Sequence, residues 1–278
     1  MSEPGRLGTG KDRFADLRLR FASTLALLAM GAVAVLAGGR VFEAVTLLIA
    51  GAMTWELARL GNPERPGLCI VIAVATALSV AGASEPFFDV MILQPLLDPR
   101  TAVLLLGPAL FLITPRRDRL LAAFWTLLVV AACIALIQTR IAGAAWVVWI
   151  TGVVVVSDMA GYFVGRAVGG PKFWPALSPK KTWSGTVAGW IAAMAWSALL
   201  LVWLDGVPPL VLIGIAPVFA FAGQLADLYE SWMKRRAGVK DVSTLIPGHG
   251  GLMDRFDAIT GAAALGLAIE WLRLGLGV

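Results

Sequence analysis

Apolar residues dominate long stretches of this chain, and short polar segments separate them. Nine stretches approach the length that a bilayer demands, roughly 20 apolar residues for a hydrocarbon core of about 30 Å. They run approximately over 21–38, 41–58, 67–83, 101–115, 120–138, 142–165, 185–204, 208–229 and 258–277. The fourth is short and contains Pro108. The first follows basic residues, and Ala32-Val33-Ala34 resembles a signal-peptide cleavage site. A further apolar run begins almost at once, so a retained span is expected. No internal repeat, low-complexity tract or linker divides the chain. The pattern predicts an all-α, polytopic integral membrane protein of about nine transmembrane helices, with soluble material confined to the first 20 residues and a few loops.

Composition agrees. The 278 residues are 59% hydrophobic and 15% charged, with mean hydropathy +0.82. A soluble domain averages about 45–50% apolar and about 25% charged. A soluble globule and a disordered chain are both excluded. The two cysteines, Cys69 and Cys133, lie in apolar runs and supply neither a disulfide framework nor a four-ligand zinc site. His249 is the single histidine, which rules out a multi-histidine metal centre and a relay of histidine proton carriers.

Charge sets the orientation. With nine spans and the N-terminus inside, 19 of the 23 Lys and Arg residues fall on the inside. They are Arg6, Lys11, Arg13, Arg18, Arg20, Arg59, Arg65, Arg116, Arg117, Arg119, Arg166, Lys172, Lys180, Lys181, Lys234, Arg235, Arg236, Lys240 and Arg255. Only Arg40, Arg100, Arg140 and Arg273 remain for the outer segments and the last span. This asymmetry follows the positive-inside rule. Deleting the fourth span would place Arg116–Arg119 outside and invert every later loop. The outer loop 84–100 instead carries Glu85, Asp89 and Asp98.

Two inside loops hold the chemistry. The first, about Asp158 to Gly185, includes Gly165-Arg166, Gly169-Gly170-Pro171-Lys172 and Ser178-Pro179-Lys180-Lys181-Thr182-Trp183. From Arg166 to Lys181 it has four cations and no carboxylate. Contact with anionic lipid headgroups would explain such a loop. Its hydroxyls and glycine-rich backbone equally suit phosphate oxygens.

The second, about Ala226 to Asp257, contains Asp227, Glu230, Lys234-Arg235-Arg236, Lys240-Asp241, Pro247-Gly248-His249-Gly250-Gly251 and Asp254-Arg255-Phe256-Asp257. Asp227 and Glu230 are three apart at the inner end of one hydrophobic helix; Asp254 and Asp257 are three apart at the start of the next. Each pair shares a helical face. Facing carboxylates at the membrane edge suit a hard cation such as Mg²⁺. Ion pairing with nearby Lys and Arg is the structural alternative, and His249 could equally be a hydrogen-bonded loop residue. Cations, carboxylates and a glycine-rich turn together fit a nucleoside triphosphate with a divalent metal, although no Walker A sequence occurs.

These residues carry a resemblance. Ser231-Trp232-Met233-Lys234-Arg235-Arg236, Lys240-Asp241 and Pro247-Gly248-His249-Gly250-Gly251-Leu252-Met253-Asp254-Arg255-Phe256-Asp257 resemble the signature of phosphatidate cytidylyltransferases, the CDP-diacylglycerol synthases. Asp158-Met159-Ala160-Gly161-Tyr162-Phe163-Val164-Gly165-Arg166, Ser178–Trp183, Gly223-Gln224, Asp227-Leu228 and Glu230-Ser231 are similar to the same family. The likeness covers roughly the C-terminal half. There are two departures: Ser184 stands where the family often has glutamate, and Ala226 where it has glycine.

The resemblance implies CTP and phosphatidic acid reacting to CDP-diacylglycerol and pyrophosphate in phospholipid biosynthesis, with Mg²⁺ and a second cation left open. It divides the chain into N-terminal membrane helices with a basic cytoplasmic N-terminus (1–115) and a catalytic membrane region with two cytoplasmic loops (116–278). Asp227 and Asp254 are expected to be the main metal ligands, with Asp257, Asp241 and Glu230 as further choices. Lys181 and Lys240 are expected to act in catalysis beside the two aspartates. Ser178, Pro179, Thr182, Arg166, His249, Arg255 and Asp158 are expected to bind substrate. The expected setting is a bacterial inner membrane with cytoplasmic catalytic loops, a homodimer left open and no nucleic-acid partner. Two alternatives remain: a CTP-dependent enzyme acting on another lipid phosphate or lipid alcohol, and a transporter using Glu43, Glu56 and Asp158 as an ion path, a class that predicts repeats.

Overall fold

The computed structural model describes residues 10–82, 103–204 and 206–276, the side chains of 10–20 excepted. Loop 84–100, expected on the outer side, and the basic side chains before Phe21 lie outside the described residues. The elements are α1 (Gly10–Ala37), α2 (Gly39–Gly61), α3 (Pro66–Ala81), α4 (Leu106–Leu112), α5 (Arg119–Ala142), α6 (Ala144–Val168), β1 (Lys172–Trp174), β2 (Ser178–Thr182), α7 (Trp183–Leu200), α8 (Pro209–Arg236) and α9 (Met253–Gly275). A helix falls on each of the nine apolar stretches. Five of them, α2, α5, α6, α8 and α9, are long and apolar enough to cross a membrane. Large apolar side chains such as Leu48 and Leu210 face outward, while Trp125, Phe111, Met53 and Ile72 are buried between helices.

Several helix boundaries differ from the apolar runs. Helix α4 has seven residues, with Pro108 buried inside it. Helix α8 continues past the apolar run to Arg236, and α9 begins at Met253, ahead of its run. Glu230 and Asp254 are helical as their spacing suggested, and Lys234 is helical as well. The extension of α8 is favoured by the i,i+4 pair Glu230–Lys234 and by three cations in its last turn. Within the all-α fold, the segment Ser178–Thr182 is a strand where the sequence suggested a loop. It forms the second strand of an antiparallel hairpin, with Lys172 opposite Thr182 and Trp174 opposite Ser178.

Helix ends pair as an alternating path requires. Arg140, near the end of α5, donates from Nε to Val35 O at the end of α1 (2.6 Å). Arg116, just before α5, donates from Nη1 to Leu57 O near the end of α2 (3.0 Å). Helices α2 and α5 thus run antiparallel. Helices α6 and α7 pack through small residues: Gly161 and Gly165, four residues apart on α6, meet Gly185, and Gly189, four residues further along α7, meets Ser157. A Cβ at Gly165 would lie 2.8 Å from Thr182 Oγ1, and one at Gly189 2.7 Å from Ser157 Oγ. Small residues at this spacing let membrane helices approach backbone to backbone. Helix α8 packs on α9 in the same way: a Cβ at Gly223 would lie 3.0 Å from Ala258 O.

Candidate active site

Three elements converge on one cavity of about 710 Å³: the C-terminal half of α6, strand β2 with the start of α7, and α8. Its walls include Asp158, Tyr162 and Arg166 from α6, Pro179, Lys181 and Thr182 from the hairpin, and Gln224 and Asp227 from α8. The glycine contacts between α6 and α7 bring these groups to one place. Glycines also end α6: Gly169 and Gly170 have φ of 67° and 100°, a left-handed turn that sends the chain back into the hairpin. Thr182 caps α7 by accepting from Gly185 N (3.2 Å).

Gln224 fixes the floor. Its Nε2 donates to Ser157 Oγ on α6, and its Oε1 accepts from Trp190 Nε1 on α7, each at 3.2 Å. One helical turn further along α8, Asp227 pairs with Lys181 of β2. The hairpin is thus tied to α8 by an ion pair at the cavity wall. Ser184, which replaces the family's acid, lies within 3.0 Å of Thr182 Oγ1 and donates to Gly169 O. It braces the hairpin and brings no charge.

A second group adjoins this cavity through Asp227. Asp227, Glu230 and Asp257 present carboxylate oxygens that all lie within 4.8 Å of one another. Glu230 is fully buried; Lys234 Nζ lies 2.6 Å from its Oε2, and its Oε1 has no hydrogen-bond partner among the described residues. Crowded carboxylate oxygens with unfilled acceptor capacity match the oxygen ligands of a hard divalent cation. The residues fit Mg²⁺.

Other expected site residues are placed differently. Asp254 lies outside the three-carboxylate group: its Oδ1 meets Lys234 Nζ (2.6 Å), and its Oδ2 accepts from Gly251 N (2.8 Å) and Val242 N (3.1 Å). It borders the group through Lys234. Asp241 is exposed beside Gly250, and Lys240 is exposed on the same loop. His249 meets Ser23 Oγ at Nδ1 (2.7 Å) and Thr24 Oγ1 at Nε2 (3.0 Å), while its carbonyl accepts from Arg255. His249 therefore ties the glycine-rich turn to α1, and Arg255 ties it to the start of α9. Ser178 sits at the far end of β2, outside the cavity walls. Glu43 and Glu56 do not line the cavity that holds Asp158, so these three carboxylates do not share it as an ion path. Gln224 had a visible signal, lying three residues before Asp227 on the same helical face.

The cytidylyltransferase family model matches residues 18–270. This chain belongs to the cytidylyltransferase family. Among its relatives, the phosphatidate cytidylyltransferase of Brucella suis biovar 1 (strain 1330) is 44% identical over 128 residues, covering 44% of this chain and 46% of the relative. That of Staphylococcus saprophyticus is 38% identical over 124 residues, covering 44% and 48%. That of Staphylococcus aureus (strain COL) is 35% identical over 122 residues, covering 44% and 47%. The alignments span about half the length of these relatives. The family's membership rests on nearly the whole chain; the named relatives match a shorter stretch of it.

Proposed function

We propose that this chain is an integral membrane phosphatidate cytidylyltransferase that joins CTP to phosphatidic acid, releasing CDP-diacylglycerol and pyrophosphate. The observation that carries the reading is the adjoining of two unlike groups through Asp227. One is a cavity with Lys181, Arg166 and Lys172 among its walls; the other is the carboxylate set Asp227, Glu230 and Asp257. A cationic wall suits phosphates, and a neighbouring acidic cluster suits the metal that accompanies a nucleoside triphosphate.

In this reading a phosphate oxygen of phosphatidic acid attacks the α-phosphorus of CTP. The new P–O bond forms as the bond to the β-phosphate breaks, and pyrophosphate departs with that electron pair. The nucleophile is already anionic near neutral pH, so no strong general base is required. Lys181 and Arg166 orient and neutralise the phosphates. Lys172 adds charge at the cavity wall, and Thr182 holds the hairpin in register. Mg²⁺ bound by Asp227, Glu230 and Asp257 would supply charge screening between the two anions and stabilise the departing pyrophosphate.

We further propose that the nine helices cross or enter a bacterial inner membrane with the cavity on the cytoplasmic side. The concentration of Lys and Arg on one set of helix connections supports this orientation. Purified protein supplied with CTP, Mg²⁺ and phosphatidic acid should yield CDP-diacylglycerol and pyrophosphate, identified by mass. Product formation with a lipid alcohol and none with phosphatidic acid would replace this reading with the related kinase chemistry.

A further inference from the structure

Glu56 sits on α2, on a different helix from every residue of the cavity and of the acidic group. It is fully buried. Its Oε1 accepts from Ser243 Oγ (2.5 Å) and Leu252 N (3.0 Å), and its Oε2 accepts from Met253 N (2.7 Å). Among the described residues, no lysine or arginine forms a salt bridge with it. Its charge is compensated by amide donors at the N-terminus of α9, where the helix dipole favours an anion.

Asp254 holds the amide of Gly251, so two carboxylates grip the three consecutive amides of Gly251, Leu252 and Met253. The fit is close. A Cβ at Gly251 would lie 2.9 Å from Glu56 Oε1 and 3.0 Å from Asp254 Oδ2. The clamp lies at the first residue of α9, and Asp257 follows one helical turn later. The axial position and rotation of α9 at this point determine whether Asp257 reaches Asp227 and Glu230, which are carried by α8.

We propose that Glu56 is a positioning residue for the metal site: by clamping the start of α9 it brings Asp257 into register with Asp227 and Glu230. This inference rests on the metal reading of that carboxylate group. It assigns a function to a carboxylate that touches neither the cavity nor the three ligands.

The test is Mn²⁺ binding to the purified full chain, followed by electron paramagnetic resonance, with thermal unfolding measured on the same samples. Glu56→Gln leaves an amide that cannot accept from all three donors. Loss of a group that orients metal ligands typically weakens metal affinity by about 10- to 100-fold. Glu56→Gln should weaken Mn²⁺ binding by about tenfold or more while the protein still unfolds cooperatively. Glu56→Asp keeps the charge and should recover part of the affinity, and Ser243→Ala should stay within about threefold of wild type. Wild-type Mn²⁺ affinity in folded Glu56→Gln would overturn the proposal; if that variant does not fold, Glu56→Asp decides alone, and wild-type affinity there overturns it. Asp227→Asn separates the two readings. If it binds Mn²⁺ normally, the metal site itself is wrong; if it loses Mn²⁺ while Glu56→Gln does not, only the positioning role fails.

Discussion

Lys234 bridges Glu230 and Asp254, with its Nζ 2.6 Å from an oxygen of each. Glu230 is its neighbour one turn back on α8, and Asp254 lies in the first turn of α9, so one ammonium joins the two helices that frame the acidic group. All three side chains are at most 11% exposed. Removing one partner of a buried ion pair typically costs about 3–5 kcal/mol, because the remaining charge is left uncompensated. Lys234→Met should lower unfolding stability in detergent by about that amount. Adding Glu230→Gln should recover part of the loss. Equal stability of Lys234→Met and wild type, measured by thermal or denaturant unfolding, would remove the bridge from the account of how α8 and α9 are joined.

Lys181 has two duties in the proposed reaction, neutralising phosphate and holding Asp227. A hydrogen bond to a charged group contributes about 1.5–3 kcal/mol, or roughly 10- to 150-fold. Lys181→Ala should lower kcat/KM for CTP by about that factor. Lys181→Arg should keep more of the activity, since it retains the charge. Unchanged turnover of Lys181→Ala at limiting CTP would take the hairpin out of the phosphate site.

Asp118 lies outside the membrane-spanning segments, immediately before α5. The Arg116 guanidinium, hydrogen-bonded to both of its oxygens at 2.6 and 2.8 Å, holds the Asp118 carboxyl below its usual range. A carboxyl lowered on folding stabilises the folded state above its unfolded pKa, about 3.9. That contribution is lost as pH falls through the lower folded value. Unfolding of wild type should therefore become easier below about pH 4, and Asp118→Asn should show a shallower dependence there. Parallel acid profiles for the two proteins would show that the pair contributes no linked stability.

The five long apolar helices α2, α5, α6, α8 and α9 were legible because their apolar runs extend over about 20 residues, a signal that local charge does not obscure. The C-terminal turn of α8 was not, because Lys234-Arg235-Arg236 reads as a loop until Glu230 is seen to pair with Lys234 one turn away. Strand β2 carries Ser178-Pro179-Lys180-Lys181, with no apolar alternation to mark it; its register comes from pairing with Lys172 and Trp174. Spacing correctly grouped Asp227 with Glu230. Asp254 was expected ahead of Asp257 among the ligands; both share a face, and the difference lies in what the first turn of α9 does with its free amides. Glu56 was visible only as a membrane carboxylate. Its partners stand up to 197 positions later, beyond the reach of any local pattern.

The division between Asp257 and Asp254 gives the sharpest test of the acidic group. Asp257 points an oxygen toward Asp227 and Glu230, whereas Asp254 spends both of its oxygens on Lys234 and on the amides of Gly251 and Val242. Asparagine preserves the shape of each side chain and removes the charge on which Mg²⁺ binding depends. Asp227→Asn and Asp257→Asn should each abolish most turnover in protein that remains folded. Because the ligands act as one unit, the double variant should be scarcely worse than either single one. Asp254→Asn should instead show its first effect in stability: it weakens the pairing with Lys234 and leaves the Gly251 and Val242 amides facing an uncharged group. The comparison is turnover against Mg²⁺ concentration beside thermal unfolding for all four proteins. A folded, stable Asp254→Asn with its Mg²⁺ dependence shifted as far as that of Asp227→Asn would place Asp254 among the ligands and exchange its role with that of Asp257.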